Sequence, residues 1–206
     1  MSKYMTLVFD DGPRDPMCEM IDLFKSYGFT CGFAIIGNQI NDETESMLRY
    51  AVENGCALAS HSQTHAHLEK LSSRREIEEE LTAPIKEVKR RIGYEITMAR
   101  LPYISYNDEV LSVCKELGLP LLGQGIDGGR DWSGDSDPET VANAVISTAA
   151  DGAVGCLHVR NNTFEALKKI IPQLKKEGYI LLSPDEFFKV KCKGKIPTAV
   201  NINILE

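Results

Sequence analysis

The chain has 206 residues, of which 43% are hydrophobic and 26% are charged, and its formal net charge is −7. These proportions are typical of a globular protein, and the length fits one domain with a sizeable core, which we expect to span residues 1–206. The acidic excess argues against nucleic-acid binding, because no basic surplus is available to displace counterions from phosphates.

Strand-like and helix-like segments alternate along the chain. Each predicted strand is a short apolar run, and each predicted helix repeats apolar residues every three or four positions. In chain order, the predicted segments are a strand at 5–9, a helix at 15–27, a strand at 31–37, a helix at 43–54, a strand at 56–59, helices at 74–92 and 108–117, a strand at 119–122, a helix at 138–150, a strand at 153–157, a helix at 164–177, a strand at 179–182 and a helix at 184–190. This alternation predicts an α/β fold with a largely parallel sheet.

Two segments do not fit a simple alternation. Pro84 lies inside a predicted helix that Ser72 and Ser73 can cap and that Gly93 ends, and we expect it to kink that helix or to expose a carbonyl within it. Residues 123–134 are rich in glycine and polar side chains, and the segment is too long for a bare connector. We therefore predict a functional loop there.

Two adjacent carboxylates, Asp10 and Asp11, follow the first predicted strand. Successive side chains of a strand point to opposite faces, so both cannot be plain surface charges if the strand is buried. One of them can supply the acceptor of a turn formed with Gly12 and Pro13. That local explanation leaves the other carboxylate unexplained.

Three of the four histidines fall within the segment SHSQTHAH. His61 and His65 are four residues apart, so both rings can face one point if a helix or turn starts at Ser60. This spacing is a common way to offer two nitrogen ligands to one divalent metal, although an exposed polar loop with incidental histidines fits as well. His67 is predicted to lie at the surface and to point elsewhere.

Polar residues follow several predicted strands. His158 ends one apolar run, where it is either a satisfied group at the edge of the core or part of a site. Ligands and catalytic groups gather at the C-terminal ends of strands in α/β sheets, so several polar strand ends predict one shared site. The groups concerned are Asp10 with Asp11, His61 with His65, Arg100 with Tyr103, Asp127 with Asp131, and His158.

The segments VFDDGP, HSQTH, RLPY, DGGRDW and GCLHV occur in that order, and together they resemble the five motifs of the polysaccharide deacetylase family, the NodB-like carbohydrate esterases. The resemblance spans roughly residues 5–188. It implies a distorted (β/α) barrel with fewer than eight full units. It also implies removal of acetyl groups from carbohydrate with a divalent metal cofactor, for which we expect Zn²⁺.

The resemblance also implies the metal ligands and the base. Asp11, His61 and His65 would bind the metal, and Asp10 would be the general base. Two imidazoles and one carboxylate leave coordination positions open for water and for the substrate carbonyl. Arg100 would orient Asp10 and keep it ionised, because a fixed cation lowers the proton affinity of a carboxylate.

The remaining implied roles concern proton donation and substrate contacts. His158 would donate a proton to the leaving amine, and Asp131 would hold His158 and favour its charged form. The backbone N–H of Tyr103 would stabilise the oxyanion. Trp132 would form an apolar wall against the substrate, although a buried anchor of its loop is the alternative reading.

Three positions depart from the family pattern. Ile104 stands where a glycine usually follows the motif tyrosine, which removes backbone freedom. Cys156 stands where leucine is typical in the acetyl pocket, and we expect Cys156 and Leu157 to contact the substrate. Arg160 follows in a region where an aspartate is common, so we expect an additional cation near the cleft. These differences leave the catalytic groups in place and bear on the substrate.

Three functions stay open from the sequence. The leading hypothesis is removal of N-acetyl groups from an amino-sugar polymer or oligomer, such as peptidoglycan or chitin fragments. O-deacetylation of acetylated xylan uses the same chemistry. A non-catalytic carbohydrate-binding relative is the third reading, although a binder needs neither a base nor an acid.

The cysteines and the N-terminal segment bear on location. Six single cysteines with no CxxC pair exclude a zinc knuckle and favour reduced, buried thiols. The chain shows no apolar run of 18 residues and no leader-like start, so we expect neither a transmembrane helix nor a signal peptide. Both observations favour the cytoplasm, whereas members of the family often act outside it.

Overall fold

The computed structural model describes residues 2–193 and 201–202. Parallel strands alternate with helices along this part of the chain. The strands are β1 (Lys3–Gly12), β2 (Gly32–Ile35), β3 (Ala57–Ser60), β4 (Leu121–Leu122), β5 (Val154–His158), β6 (Tyr179–Leu181) and β7 (Asn201–Ile202), and the helices are α1 (Met17–Ser26), α2 (Glu45–Glu53), α3 (Arg74–Ile92), α4 (Asp108–Glu116), α5 (Pro138–Thr148), α6 (Asn161–Lys176) and α7 (Pro184–Lys191).

The sheet is built around the long strand β1. Strand β1 pairs with β2 and β5 towards its C-terminal end and with β6 at its start, and β2 pairs in turn with β3. Isolated bridges extend this order from Ser60 to Ala99, from Ala99 to Leu121 in β4, and from Ile126 back to Gly155 in β5. The strands therefore close into an irregular ring, which confirms the predicted distorted (β/α) barrel with fewer than eight full units.

Strand β1 is buried because apolar clusters cover both of its faces, with Leu7 and Phe9 in one cluster and Val8 in another. Every residue from Met5 to Gly12 is inaccessible or nearly so, which explains why this segment reads as a continuous apolar run instead of an alternating one. The ring of Phe9 packs edge-on against Phe24 at 5.7 Å and beside Phe33 at 5.6 Å. This packing fixes the strand immediately before its two carboxylates.

Helix α3 begins and ends as its sequence predicts, and it continues through Pro84. Ser73 and Glu76 form a reciprocal capping box at its start, and Gly93 ends it with a φ of 72°. In the turn before Pro84, the carbonyl of Leu81 accepts a hydrogen bond of 2.8 Å from the hydroxyl of Ser60. A helix carbonyl thus holds the end of β3 next to His61.

The predicted segments all have counterparts in the structure, with ends that differ by a few residues. The largest difference at a helix start is in α6, which begins at Asn161, three residues before the predicted Phe164. Its first turn is polar and shows no apolar periodicity. The reason is that Thr163, although buried, contacts a polar side chain instead of the core.

Two further observations concern membranes and thiols. In the part of the chain that the structure describes, no helix combines the length and apolar character needed to span a bilayer. The six cysteines are free thiols. Cys31 and Cys56 precede the paired strands β2 and β3, and their sulfur atoms are 3.8 Å apart.

Candidate active site

A cleft of about 560 Å³ lies where β1, β3 and β5 end. The segment 123–134 forms part of its wall, as predicted for a functional loop. Most predicted site residues line this cleft, and Arg100 lies fully buried beside them. The predicted site residues that line it are Asp10, Asp11, His61, His65, Tyr103, Asp127, Asp131, Trp132, Cys156 and His158.

Both carboxylates at the end of β1 line the same cleft. Regular strand geometry would place them on opposite faces, but the pairing of β1 with β2 is irregular between Phe9 and Gly12. Asp11 adopts a φ of 68°, in the left-handed region. This local change of backbone direction lets neighbouring side chains share one cavity, which strand periodicity alone does not predict.

The side chains of Asp11, His61 and His65 converge on one point. One oxygen or nitrogen atom from each lies within 4.8 Å of the others. Asp11 Oδ1 is 3.4 Å from His65 Nε2 and 3.8 Å from His61 Nε2. The histidine segment is a loop rather than a helical turn, with φ values of 62° at Ser62 and 61° at His65.

The hydrogen bonds of the two rings show whether this cluster fits a metal. His61 Nδ1 lies 2.7 Å from the carbonyl of Arg100, and a carbonyl only accepts, so Nδ1 carries the proton. The other ring nitrogen, Nε2, faces the carboxylates of Asp10 and Asp11. Burial, together with the neighbouring His61, lowers the pKa of His65 and favours its neutral form. Two imidazoles and a carboxylate are a donor set that fits a divalent ion.

Tyr103 supports the outer side of this cluster. Its hydroxyl is 3.2 Å from His65 Nδ1, and its ring stacks on His67 with centroids 3.8 Å apart and planes 7° from parallel. His67 in turn lies 3.1 Å from a carboxylate oxygen of Glu69. His67 is partly exposed, as predicted, and it does not line the cleft; its ring packs against Tyr103 instead.

The backbone after the third motif is strained. Tyr103 and Ile104 have φ values of 59° and 51°, in a region where side chains with a Cβ are unfavourable. The cost is greatest for a β-branched residue such as Ile104, about 1–3 kcal/mol. The absence of a glycine at this position is therefore a real conformational restriction beside the cleft.

Asp10 and Arg100 form a buried pair of charges. Arg100 Nε lies 3.9 Å from Asp10 Oδ1, and Cys156 Sγ donates to Asp10 Oδ2 at 3.3 Å. Burial alone would raise the pKa of Asp10, but the charge of Arg100, with smaller contributions from His61 and His158, lowers it. Asp10 is thus held as a carboxylate.

His158 and Asp131 form a second, tightly bonded pair. The ring Nδ1 of His158 lies 2.9 Å from Asp131 Oδ1, and the backbone N–H of His158 donates to Oδ2 at 2.6 Å. Thr163 also donates to Oδ2, at 2.7 Å. Burial works against the charged ring, but the hydrogen bond to Asp131 and the nearby Asp10 outweigh it and raise the pKa of His158. Thr163 and its role here were missed from the sequence, where only the polar start of α6 could have indicated them.

The predicted substrate contacts divide between the cleft and the core. Trp132 is 54% exposed and lines the cleft, which excludes the reading as a buried loop anchor. Cys156 also lines the cleft. The expectation that Leu157 contacts the substrate is wrong, because it is 1% exposed and packs in the main core. Adjacent residues of β5 point to opposite faces, so only one of the two can face the cavity.

The additional cation expected from the sequence lies in the cleft. Arg160 Nη2 donates to Asp11 Oδ2 at 2.9 Å. The two residues are 149 positions apart in the chain, and no sequence pattern predicts this contact.

Known proteins are similar to this chain over most of its length. The sequence profile of the polysaccharide deacetylase family matches residues 1–122. The chain is 30% identical over 192 residues to a bifunctional xylanase/deacetylase of Pseudobutyrivibrio xylanivorans, covering 92% of this chain. It is 28% identical over 196 residues to a peptidoglycan-N-acetylglucosamine deacetylase of Bacillus cereus, covering 92% of this chain and 90% of that protein.

A solved structure shows the same fold. A family 4 acetyl xylan esterase from Clostridium thermocellum, in complex with a cobalt ion, superposes with a TM-score of 0.85 at 27% identity, over 92% of each chain. This chain spans 31% of the length of the Pseudobutyrivibrio protein, so the likeness to that relative concerns one part of it.

Proposed function

Because this chain belongs to the polysaccharide deacetylase family, we propose that it is a metal-dependent hydrolase that removes N-acetyl groups from an amino-sugar polymer or oligomer of the peptidoglycan or chitin type. The observation that carries the proposal is the convergence of Asp11, His61 and His65 within 4.8 Å, with ionised Asp10 beside them. We further propose that residues 1–206 act as one catalytic domain.

Asp11, His61 and His65 would hold the metal in this proposal. A divalent ion there, for which we propose Zn²⁺, would act as a Lewis acid that polarises the acyl carbonyl and would lower the pKa of water to roughly 7–9. The hydrogen bond from His61 Nδ1 to the Arg100 carbonyl orients its ring for this task. A carboxylate, two imidazoles and an open cleft agree with the donor set of a hydrolytic site.

Asp10 would take the proton from the attacking water. It lines the cleft, and its pKa is lowered by Arg100, so it begins the reaction as a base. Cys156 donates a hydrogen bond to its Oδ2, and the charge of Arg100 lies 3.9 Å from its Oδ1. The backbone N–H of Tyr103 would donate to the oxyanion as the carbonyl becomes tetrahedral.

His158 would donate the proton that lets the amine leave. Asp131 raises the pKa of His158, so the ring keeps a proton to donate up to a higher pH than a free imidazole would. An amide nitrogen leaves only after protonation, whereas an ester alkoxide depends less on an acid. The hydrogen-bonded Asp131–His158 pair therefore favours amide cleavage. The exposed ring of Trp132 would cover an apolar face of the sugar or the acetyl methyl.

O-deacetylation of an acetylated xylan is the second candidate. It is supported by the likeness to a bifunctional xylanase/deacetylase and to an acetyl xylan esterase. The same base, acid and metal ligands would serve an ester. A binding protein without catalysis has no need of the ionised Asp10 and the acidic His158, so we rank it below both.

The test is acetate release from three substrates measured side by side with the same preparation. We expect release from chitooligosaccharide or peptidoglycan fragments at a higher kcat/KM than from acetylxylan. A higher kcat/KM on acetylxylan would replace the first candidate with the second. No acetate from any of the three, with metal bound, would favour the binding protein.

A further inference from the structure

Arg160 occupies a fixed position between β5 and α6. Val159 precedes it and donates its backbone N–H to the carbonyl of Asp10 at 2.9 Å, and the side chain of Val159 is fully buried. The carbonyl of Arg160 accepts from Phe164 N–H at 2.9 Å at the start of α6. The backbone that carries this guanidinium is therefore tied to the end of β1, where Asp11 lies.

The two oxygens of Asp11 face different partners. Oδ2 accepts a hydrogen bond of 2.9 Å from Arg160 Nη2. Oδ1 lies 3.4 Å from His65 Nε2 and 3.8 Å from His61 Nε2. Asp11 is mostly buried, so a charge-assisted bond at Oδ2 restrains the rotation of the carboxylate more than it would in water.

We propose that Arg160 is a positioning residue that holds Asp11 Oδ2 and so presents Oδ1 alone to a divalent ion shared with His61 and His65. The inference rests on the proposed function, because it assumes that these three side chains bind a metal. A carboxylate that offers one oxygen occupies one coordination position, whereas both oxygens would occupy two. Arg160 thus keeps a position open for water and the substrate carbonyl.

The test measures Co²⁺ binding to protein stripped of metal with a chelator, by titration and by the visible absorption of the bound ion. Partners that orient metal ligands typically contribute 10–100-fold to metal affinity or activity, so we expect Arg160→Ala to bind Co²⁺ about 10–100-fold more weakly. We also expect its spectrum to change, because a released carboxylate alters the number of ligands. Arg160→Lys retains a donor and should recover most of the affinity and the wild-type spectrum.

Arg130→Ala is the matched control, because Arg130 lines the same cleft but forms no ion pair with Asp11 among the described residues. It should leave Co²⁺ affinity and spectrum unchanged. Circular dichroism and thermal melting verify that each variant folds. If Arg160→Ala does not fold, Arg160→Gln replaces it, with the same expected loss of affinity.

Two results would overturn the inference. One is wild-type affinity and spectrum in Arg160→Ala. The other is tighter binding, which would show that the guanidinium acts mainly by repelling the dication. Asp11→Ala separates this failure from a failure of the proposed site. If Asp11→Ala loses Co²⁺ while Arg160→Ala is unaffected, only the role of Arg160 fails, and if Asp11→Ala keeps Co²⁺, the ligand set itself is wrong.

Discussion

The two buried charge pairs of the cleft differ in how far the protein itself satisfies them. On one side, Asp131 accepts hydrogen bonds of 2.6 to 2.9 Å from His158 and Thr163, and its own carbonyl accepts from Asn162 at 3.1 Å. On the other side, Asp10 and Arg100 approach only to 3.9 Å. There, Asp10 Oδ1 and Arg100 Nε and Nη1 have no hydrogen-bond partner among the described residues.

This difference indicates that the Asp10–Arg100 pair depends on what binds in the cleft, whereas the Asp131–His158 pair depends on the protein's own hydrogen bonds. Buried polar atoms without partners are costly, by about 1–3 kcal/mol each, so the Asp10–Arg100 side should be sensitive to whatever binds in the cleft. On the Asp131–His158 side, both carboxylate oxygens of Asp131 have hydrogen-bond partners, so this pair should keep its geometry regardless. We therefore expect metal and water to change the first side and pH to act through the second.

Metal removal should have the largest effect. We expect a chelator to abolish acetate release and added Zn²⁺ to restore it, because Asp11, His61 and His65 cannot polarise a carbonyl on their own. Acetate assays before and after chelation measure this. Full activity in metal-free protein would refute the mechanism.

Replacement of the proposed base, Asp10, should have the second largest effect. We expect Asp10→Asn to lower kcat by about 10²–10⁴-fold, the usual contribution of a general base, while the protein keeps its metal. His61→Ala is the matched variant, and it should lose the metal as well as activity. Metal content by mass spectrometry, measured on both, separates the two roles. Equal metal loss in the two variants would contradict the division between Asp10 and its neighbours.

Asp131→Asn should change how kcat depends on pH, because it alters the Asp131–His158 pair. His158 must be protonated to donate, and its raised pKa keeps it protonated to higher pH, so activity is lost as pH rises through that pKa. Removing the carboxylate charge lowers the pKa of His158 and moves the alkaline limb of the kcat profile to lower pH. On the alkaline side we expect kcat to fall about tenfold, which corresponds to the smallest pKa change that one charged neighbour usually causes.

The control for this profile is Asp127→Asn. Asp127 also lines the cleft, but its carboxylate accepts from Gly129 N–H and makes no hydrogen bond to His158 among the described residues. It should leave the alkaline limb in place. A limb that stays fixed in Asp131→Asn would exclude His158 as the proton donor tuned by Asp131.

The smallest effect should come from the stacking that supports the metal side. His67→Ala removes the ring contact with Tyr103, and we expect it to lower the free energy of unfolding by about 0.5 kcal/mol, the lower end for an aromatic pair because both rings are partly exposed. Urea titration measures this, with His67→Phe as the variant that keeps a stacked ring. An equal loss in both variants would show that the stacking contributes nothing.

Much of the fold followed from local pattern. Apolar runs, helical spacing and the glycines after helices identified the order of strands and helices, and the ordered motifs identified the family. The sequence pattern missed the first turn of α6, because the polar residues of that turn contact the site and show no apolar periodicity. Pattern also placed the polar groups at strand ends, because parallel strands of an α/β sheet carry their C-terminal ends on one side.

The arrangement within the site required the folded chain. Strand periodicity would separate Asp10 from Asp11, and only the left-handed backbone at Asp11 brings both into the cleft. Periodicity does explain why Cys156 faces the cavity and Leu157 the core, but the sequence does not say which face is which. The contact of Arg160 with Asp11 joins residues 149 positions apart.

The physical reason for this division is the range of each interaction. Residue spacing within a segment records which positions are buried, since burial of apolar surface acts on every turn or strand separately. Distances between ligand atoms, the direction of one carboxylate and the pKa of a buried ring depend on charges and hydrogen bonds between distant segments. Those contacts exist only once the barrel has closed, so the amino-acid order specifies the participants and the packed chain specifies their geometry.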